Sequence, residues 1–111
     1  MLPRSWFQRV ASRVLAEAGI VMTDEYPIYE GRRLLAQLDL AIADLAIGVE
    51  CQSWQWHATP EAQRRDSARR RSLRRLGWEI VDLWWSDLDR IDDVVATLLV
   101  VVISERAIGV V

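Results

Sequence analysis

Asp39 and the run Glu50-Cys51-Gln52 set one acid, a gap of ten residues, and then a second acid followed by Cys and an amide. Paired carboxylates suit a hard divalent cation, since Mg²⁺ binds through one or two carboxylates and keeps several waters. A cation held in this way can face a phosphate. Two further features lie within reach. His57, the sole histidine, follows seven positions after Glu50, and Arg64, Arg65, Arg69, Arg70, Arg71, Arg74 and Arg75 fall within twelve residues. The guanidinium fork matches phosphate oxygens bidentately, so this run is a candidate for contact with a nucleic-acid backbone.

The acids must be brought together by a β-hairpin. Over 34–49 apolar residues alternate, with Leu38, Leu40 and Ile42 on one face and Ile47, Val49 and Cys51 completing it on the return strand. A reversal centred on Asp44-Leu45, as a two-residue turn or as the loop 43–46, pairs residues whose numbers sum to 89. Asp39 then opposes Glu50, Gln37 opposes Gln52, and small Ala41 opposes Gly48. Asp-Leu makes a poor two-residue turn, which favours the longer loop. Opposed like charges repel, and a cation between them would remove the repulsion. An ordinary solvated polar face is the competing explanation.

Caps and breakers place the other elements. Ser5 is a candidate cap for a first helix with the stripe Phe7, Val10, Ala11, Val14, Leu15 and Ala18, ending at Gly19. Strand residues follow at Tyr26-Pro27-Ile28-Tyr29, and Glu30-Gly31-Arg32 turns into the hairpin. Thr59, Pro60 and Glu61 announce a second helix that Gly77 stops. Trp78, Ile80, Asp82 and Trp84 alternate with Glu79, Val81, Leu83 and Trp85 in a further strand, which makes the helix a crossover. Ser86 opens a last helix with Leu88, Ile91, Val94, Val95, Leu98 and Leu99 inward. The segment 104–111 reads as a loose tail or an edge strand. The order α-β-β-β-α-β-α gives an α/β sandwich around a mixed sheet.

Composition limits the function classes. With 111 residues, 51% hydrophobic and 27% charged, the chain reads as one domain, 1–111, with its core over about 5–103. The longest apolar run, 98–103, is far short of the roughly 20 residues that cross a bilayer. A soluble, cytoplasmic protein without a membrane partner is therefore expected. One cysteine forms no internal disulfide, and no Cys/His cluster has zinc spacing. Every one of the 14 basic residues is Arg. Over 59–76 seven of them face two acids, a net +5 that leaves −7 elsewhere in a chain whose total is −2. Such asymmetry points to an anionic partner. An Arg-rich solvated face, with Asp66 paired to Arg69 or Arg70, is the bland alternative.

Five pieces in order, Gln37-Leu38-Asp39-Leu40-Ala41, Val49-Glu50-Cys51-Gln52, Trp56-His57-Ala58-Thr59-Pro60-Glu61, Arg65-Asp66 and Leu76-Gly77-Trp78-Glu79-Ile80, resemble the very-short-patch-repair-endonuclease-like branch of the PD-(D/E)XK superfamily. The resemblance implies the restriction-endonuclease-like fold and hydrolysis of a DNA phosphodiester by a water that Mg²⁺ or Mn²⁺ activates. It assigns Asp39 and Glu50 as metal ligands and Gln52 to the last motif position, where Lys is commonest. It also brings His57 near the site. Many relatives carry Ser-x-x-Glu in the first helix, whereas Ser5-Trp6-Phe7-Gln8 ends in Gln8. Gln52 can orient a water or ligate through its carbonyl, but it cannot act as a general base. The expected partner is DNA, held by its backbone phosphates through the seven arginines, with dimerisation left open. Trp54 and Trp56 suit either base stacking or core anchoring, whereas Trp78 and Trp84 read as core. Besides a metal-dependent endonuclease, the sequence accommodates an inactive nuclease-like nucleic-acid-binding module. A protein-interaction domain from a degenerate toxin or mobile-element product also remains open.

Overall fold

Period-two alternation builds the centre of the molecule. In the computed structural model, which describes residues 4–52 and 59–90 together with 92, 93, 96, 100 and 103–105, β2 (Arg33–Ile42) and β3 (Ile47–Gln52) form an antiparallel hairpin. The pairs Leu40–Val49, Ala41–Gly48 and Ile42–Ile47 each sum to 89. The reversal is the four-residue loop: Ala43–Leu45 is one 3₁₀ turn, and Ala46 follows in the left-handed region with φ 53°. Its N–H donates to the Ala43 carbonyl at 3.1 Å, and its carbonyl accepts from the Glu79 N–H at 2.9 Å, tying the loop to the next strand.

β1 (Thr23–Glu30) pairs antiparallel with β2, and β4 (Glu79–Trp84) pairs parallel with β3, giving the mixed order β1-β2-β3-β4. Pro27 is exposed on the edge strand β1, where its missing N–H costs no central ladder bond. Helix α1 (Arg4–Glu17) packs Phe7, Ala11 and Leu15 onto the face formed by Leu40, Ile47, Val49, Cys51 and Leu83. Helix α2 (Pro60–Arg75) crosses the other face, setting Leu73 against Ile28, Ala36, Leu38 and Ala41, with Trp78 and Ile80 alongside. Helices therefore flank the sheet on both sides.

Local signals fix α2 tightly. Thr59 is its cap, with Oγ1 accepting from the Ala62 N–H at 3.0 Å, and Pro60 takes the first helical position, where an N–H would have no partner. At the other end Gly77, at φ 90°, lets its own N–H reach the Arg74 carbonyl while the Trp78 N–H reaches the Leu73 carbonyl, both at 3.0 Å. These two bonds and the shared Leu73–Trp78 cluster make a Schellman stop.

Several expectations need correction. α1 begins at Arg4, so Ser5 lies in its first turn and is not the cap, and Ala18 is exposed. Leu38 and Leu40 do not share a face: Leu38 packs under α2 and Leu40 under α1. The pleat breaks between them at Asp39, and on the neighbouring strand Glu25, flanked by the pairs Asp24–Leu40 and Tyr26–Leu38, sits at φ 51° and leaves the ladder. Trp78 and Trp84 are half-buried, with the Trp78 ring 5.6 Å from that of Tyr26. After β4 the chain enters a 3₁₀ helix, Trp85–Arg90, in place of an α-helix opening at Ser86, and the Asp87 carboxylate accepts the Trp84 N–H at 2.9 Å. Positions 92, 93, 96, 100 and 103–105 are helical, so Ser104 and Glu105 do not begin a tail or strand; neighbouring Ile103 packs against the α1 cluster. The stripe residues Ile91, Val94, Val95, Leu98 and Leu99 lie outside the described residues. Among those described, no helix is long and apolar enough to cross a membrane.

Gly48 shows how closely the α2 face is filled. A Cβ there would stand 2.5 Å from Leu38 Cδ1 and 3.1 Å from Ile80 Cδ1, and Leu38 is fully buried with little room to yield. Gly48→Ala should therefore lower stability by about 1–3 kcal/mol, as overpacking does, when followed by urea unfolding. A change indistinguishable from zero would mean that Leu38 rotates away freely.

Candidate functional site

The hairpin ladder stops one pair short of Asp39 and Glu50. Where the next backbone bond would form, the Cys51 N–H donates instead to Asp39 Oδ2 at 2.7 Å, so a carboxylate is inserted between β2 and β3. The break in the pleat at Leu38 and Leu40 frees Asp39 for this position. Glu50 follows on β3 and points to the α2 side, opposite the Cys51 side chain, which is fully buried under α1. Asp39, Glu50 and Gln52 are 8%, 2% and 6% exposed, which rules out a solvated polar face.

Burying a carboxylate is costly unless charge or hydrogen bonds compensate it. Here α2 supplies the compensation. Arg69 Nη1 donates to Glu50 Oε1 at 2.7 Å and Nη2 to Asp66 Oδ1 at 2.8 Å. Arg70 Nε donates to Asp66 Oδ2 at 3.0 Å, and its Nη2 bonds Asp82 Oδ1 on β4. Asp82 also accepts Gln52 Nε2 at 2.8 Å. The parallel register places Asp82 beside Glu50, so the chain Glu50–Arg69–Asp66–Arg70–Asp82–Gln52 closes over two strands and one helix. Burial opposes ionisation of Asp66, but hydrogen bonds and charge from Arg69 and Arg70 outweigh it and hold its pKa below the ordinary 3.8. Burial likewise opposes the charge on both arginines. Asp66 and Glu50 overcome this for Arg69, and Asp82 and Asp66 for Arg70, and both pKa values rise.

The seven candidate arginines thus separate into two groups. Arg69 and Arg70 turn inward onto carboxylates, while Arg64, Arg65, Arg71, Arg74 and Arg75 are exposed. Arg71, Arg74 and Arg75 line a shallow groove with Ala68 and Ser72. His57, Trp54 and Trp56 lie outside the described residues. Gln8 is half-buried on α1. Sequence reasoning did not single out Asp82; the available signal was an acid at the α2-facing position of a strand otherwise filled by Trp78, Ile80 and Trp84.

The donor set can be weighed against a divalent cation. Asp39, Glu50 and the Gln52 carbonyl offer hard oxygens, and the soft Cys51 sulfur faces the opposite core. Among the described residues no group of three or more His, Cys, Asp and Glu side chains could hold a metal ion. Two carboxylates with an amide oxygen are a donor set of the kind that suits Mg²⁺, which retains several waters.

A mixed α/β sheet flanked by helices, with buried acids beside the end of its central hairpin, is the architecture of a restriction-endonuclease-like domain. The sequence model of the REase_MTES_1575 family matches residues 7–101, and the chain belongs to that restriction-endonuclease-like family. Two proteins of Mycobacterium tuberculosis are similar to it: "Uncharacterized protein MT2308" of strain CDC 1551 / Oshkosh and "Uncharacterized protein Rv2248" of strain ATCC 25618 / H37Rv. Each is 33% identical over 90 residues, covering 74% of this chain. The chain spans about a third of the length of these relatives, 33% in each case. No solved structure matches it.

The depressed Asp66 pKa fixes the sign of one pH effect. A carboxylate that is more acidic in the folded state contributes stability that is complete above its unfolded value, about 3.9, and is lost as pH falls through its folded value. Asp66→Asn should therefore destabilise the protein at pH 7, and the deficit relative to wild type should shrink below about pH 4 in urea unfolding. A deficit that stays constant down to pH 2 would show that the Asp66 charge contributes nothing.

Proposed function

We propose that this domain is a Mg²⁺- or Mn²⁺-dependent DNA endonuclease of the very-short-patch-repair-like type. The observation that carries the reading is the pair of nearly inaccessible carboxylates, Asp39 and Glu50, set where the central hairpin ladder gives way, with Gln52 beside them. Asp39 and Glu50 would hold the cation. When bound, a divalent cation polarises a phosphate oxygen and lowers the pKa of a water.

The chain's own groups divide the remaining work. The Cys51 N–H orients the Asp39 carboxylate. Arg69 holds Glu50 in place from above and adds positive charge where a phosphate would approach. Gln52 contributes a carbonyl that can accept a hydrogen bond from water, but it has no basic group with which to remove a proton. The exposed arginines of α2 meet the nucleic-acid backbone, and Arg71, Arg74 and Arg75 form the most continuous contact. His57 keeps its assignment near the scissile phosphate as part of this proposal.

A second reading has an observation of its own. Glu50 is already neutralised by Arg69, which favours a nuclease-like module that binds nucleic acid through α2 without cutting it. Plasmid nicking separates the two. The endonuclease reading predicts nicking that requires Mg²⁺ or Mn²⁺ and that Asp39→Ala reduces by at least about 100-fold, the scale of losing a group used in the chemical step. Salt-sensitive DNA binding without nicking, unchanged by chelator, would establish the module instead. Binding to neither single- nor double-stranded nucleic acid at low salt would leave a protein-interaction role.

A further inference from the structure

We propose that Asp82 is a positioning residue that fixes which end of the Gln52 amide is presented beside Asp39 and Glu50. The inference rests on the reading of those two carboxylates as cation ligands. A glutamine amide has one donor end and one acceptor end of nearly equal size, and they do opposite things at a cation. With the oxygen presented it can ligate a metal or accept from a bound water. With the nitrogen presented it repels the metal.

The bond to Asp82 disfavours the second arrangement. Gln52 Nε2 donates to Asp82 Oδ1 at 2.8 Å, and an ionised carboxylate can only accept, so the NH₂ end is committed to β4. The amide is planar, so its oxygen is turned away from Asp82. β2, which carries Asp39, borders β3 on the side opposite β4. Asp82 is itself held, because Arg70 Nη2 bonds the same Oδ1 while Arg70 Nε bonds Asp66 at 3.0 Å. Parallel pairing of Glu50 with Asp82 and Gln52 with Trp84 sets the reach that this bond requires. Asp82 thus acts through Gln52 and need not touch the cation.

The arrangement predicts a pattern that neither loss of charge nor general destabilisation would produce. An Asn at position 82 keeps a carbonyl able to accept from both Gln52 and Arg70. An Ala does not. A Glu at position 52 presents an oxygen whichever way it is turned, so it has no need of the lock.

The test is calorimetric Mn²⁺ binding to the folded protein, without nucleic acid, paired with the Gln52 side-chain NH₂ signals in ¹⁵N-labelled, metal-free protein. Asp82→Ala should weaken Mn²⁺ binding roughly tenfold, as loss of a partner that orients a ligand does, whereas Asp82→Asn should stay within about threefold of wild type. Adding Gln52→Glu to Asp82→Ala should restore most of the loss. The Gln52 NH₂ protons should be shifted and slow to exchange in wild type and Asp82→Asn, and ordinary in Asp82→Ala. Wild-type affinity in Asp82→Ala, or equal losses in the Ala and Asn variants, would overturn the positioning role. Absence of Mn²⁺ binding by wild type would overturn the cation reading beneath it, and the NH₂ signals would still show whether the Asp82–Gln52 lock forms.

Discussion

A carboxylate removed from water has to be given donors or cations, and this sheet removes two of them at adjoining positions. Much of the local structure follows from that demand. Asp39 takes the Cys51 N–H, which ends the β2–β3 ladder early. Glu50 takes Arg69, which requires α2 to lie across the sheet at the height of that residue. Arg69 and Arg70 are themselves partly withdrawn from water, so Asp66 and Asp82 are recruited in turn. Replacing a buried ion pair by apolar side chains of similar volume is often neutral or stabilising. Glu50 is the carboxylate of this network nearly removed from water, so its pairing with Arg69 is better explained as the cost of keeping a charge at this site than as a source of stability. The half-exposed Asp66, by contrast, adds stability through its two arginines.

The arginine-rich helix presents two sets of arginines that its composition alone does not separate. Arg69 and Arg70 face the sheet and act as internal counterions; the remaining five face outward. Helical spacing accounts for the split, since Asp66, Arg69, Arg70 and Leu73 recur at three- and four-residue intervals on one face. Leu73 is the fully buried apolar anchor of that face, and Thr59 and Gly77 fix where the helix starts and stops. These caps place the inner arginines over Glu50 and Asp82. The other five arginines are left exposed on the helix.

The hairpin register was legible because a period of two leaves few alternatives, and a one-residue slip would expose Val49 and Leu40 together. The caps of α2 were legible for a similar reason: Thr59, Pro60 and Gly77 each have a local chemical role. What the sequence hid depends on partners distant along the chain. Nothing near Leu38 announces that the pleat breaks there, where the neighbouring strand carries the left-handed backbone of Glu25. The role of Asp82 depends on the parallel register of β4 against β3, which the crossover sets and local patterning does not reveal. The inward turn of Arg69 and Arg70 was hidden too, since a run of arginines looks alike from every side until a core face is known. Family membership agrees with the fold that this alternation and crossover define.

Whether the two buried acids act together on one cation is decided most directly by calorimetric titration of Mn²⁺ into wild type and Asp39→Ala. Shared ligation by Asp39 and Glu50 predicts a single saturable site in wild type that Asp39→Ala removes while the variant stays folded. Equal binding by the two proteins, or no binding by either, would contradict it and leave Arg69 as the cation that Glu50 was built to hold.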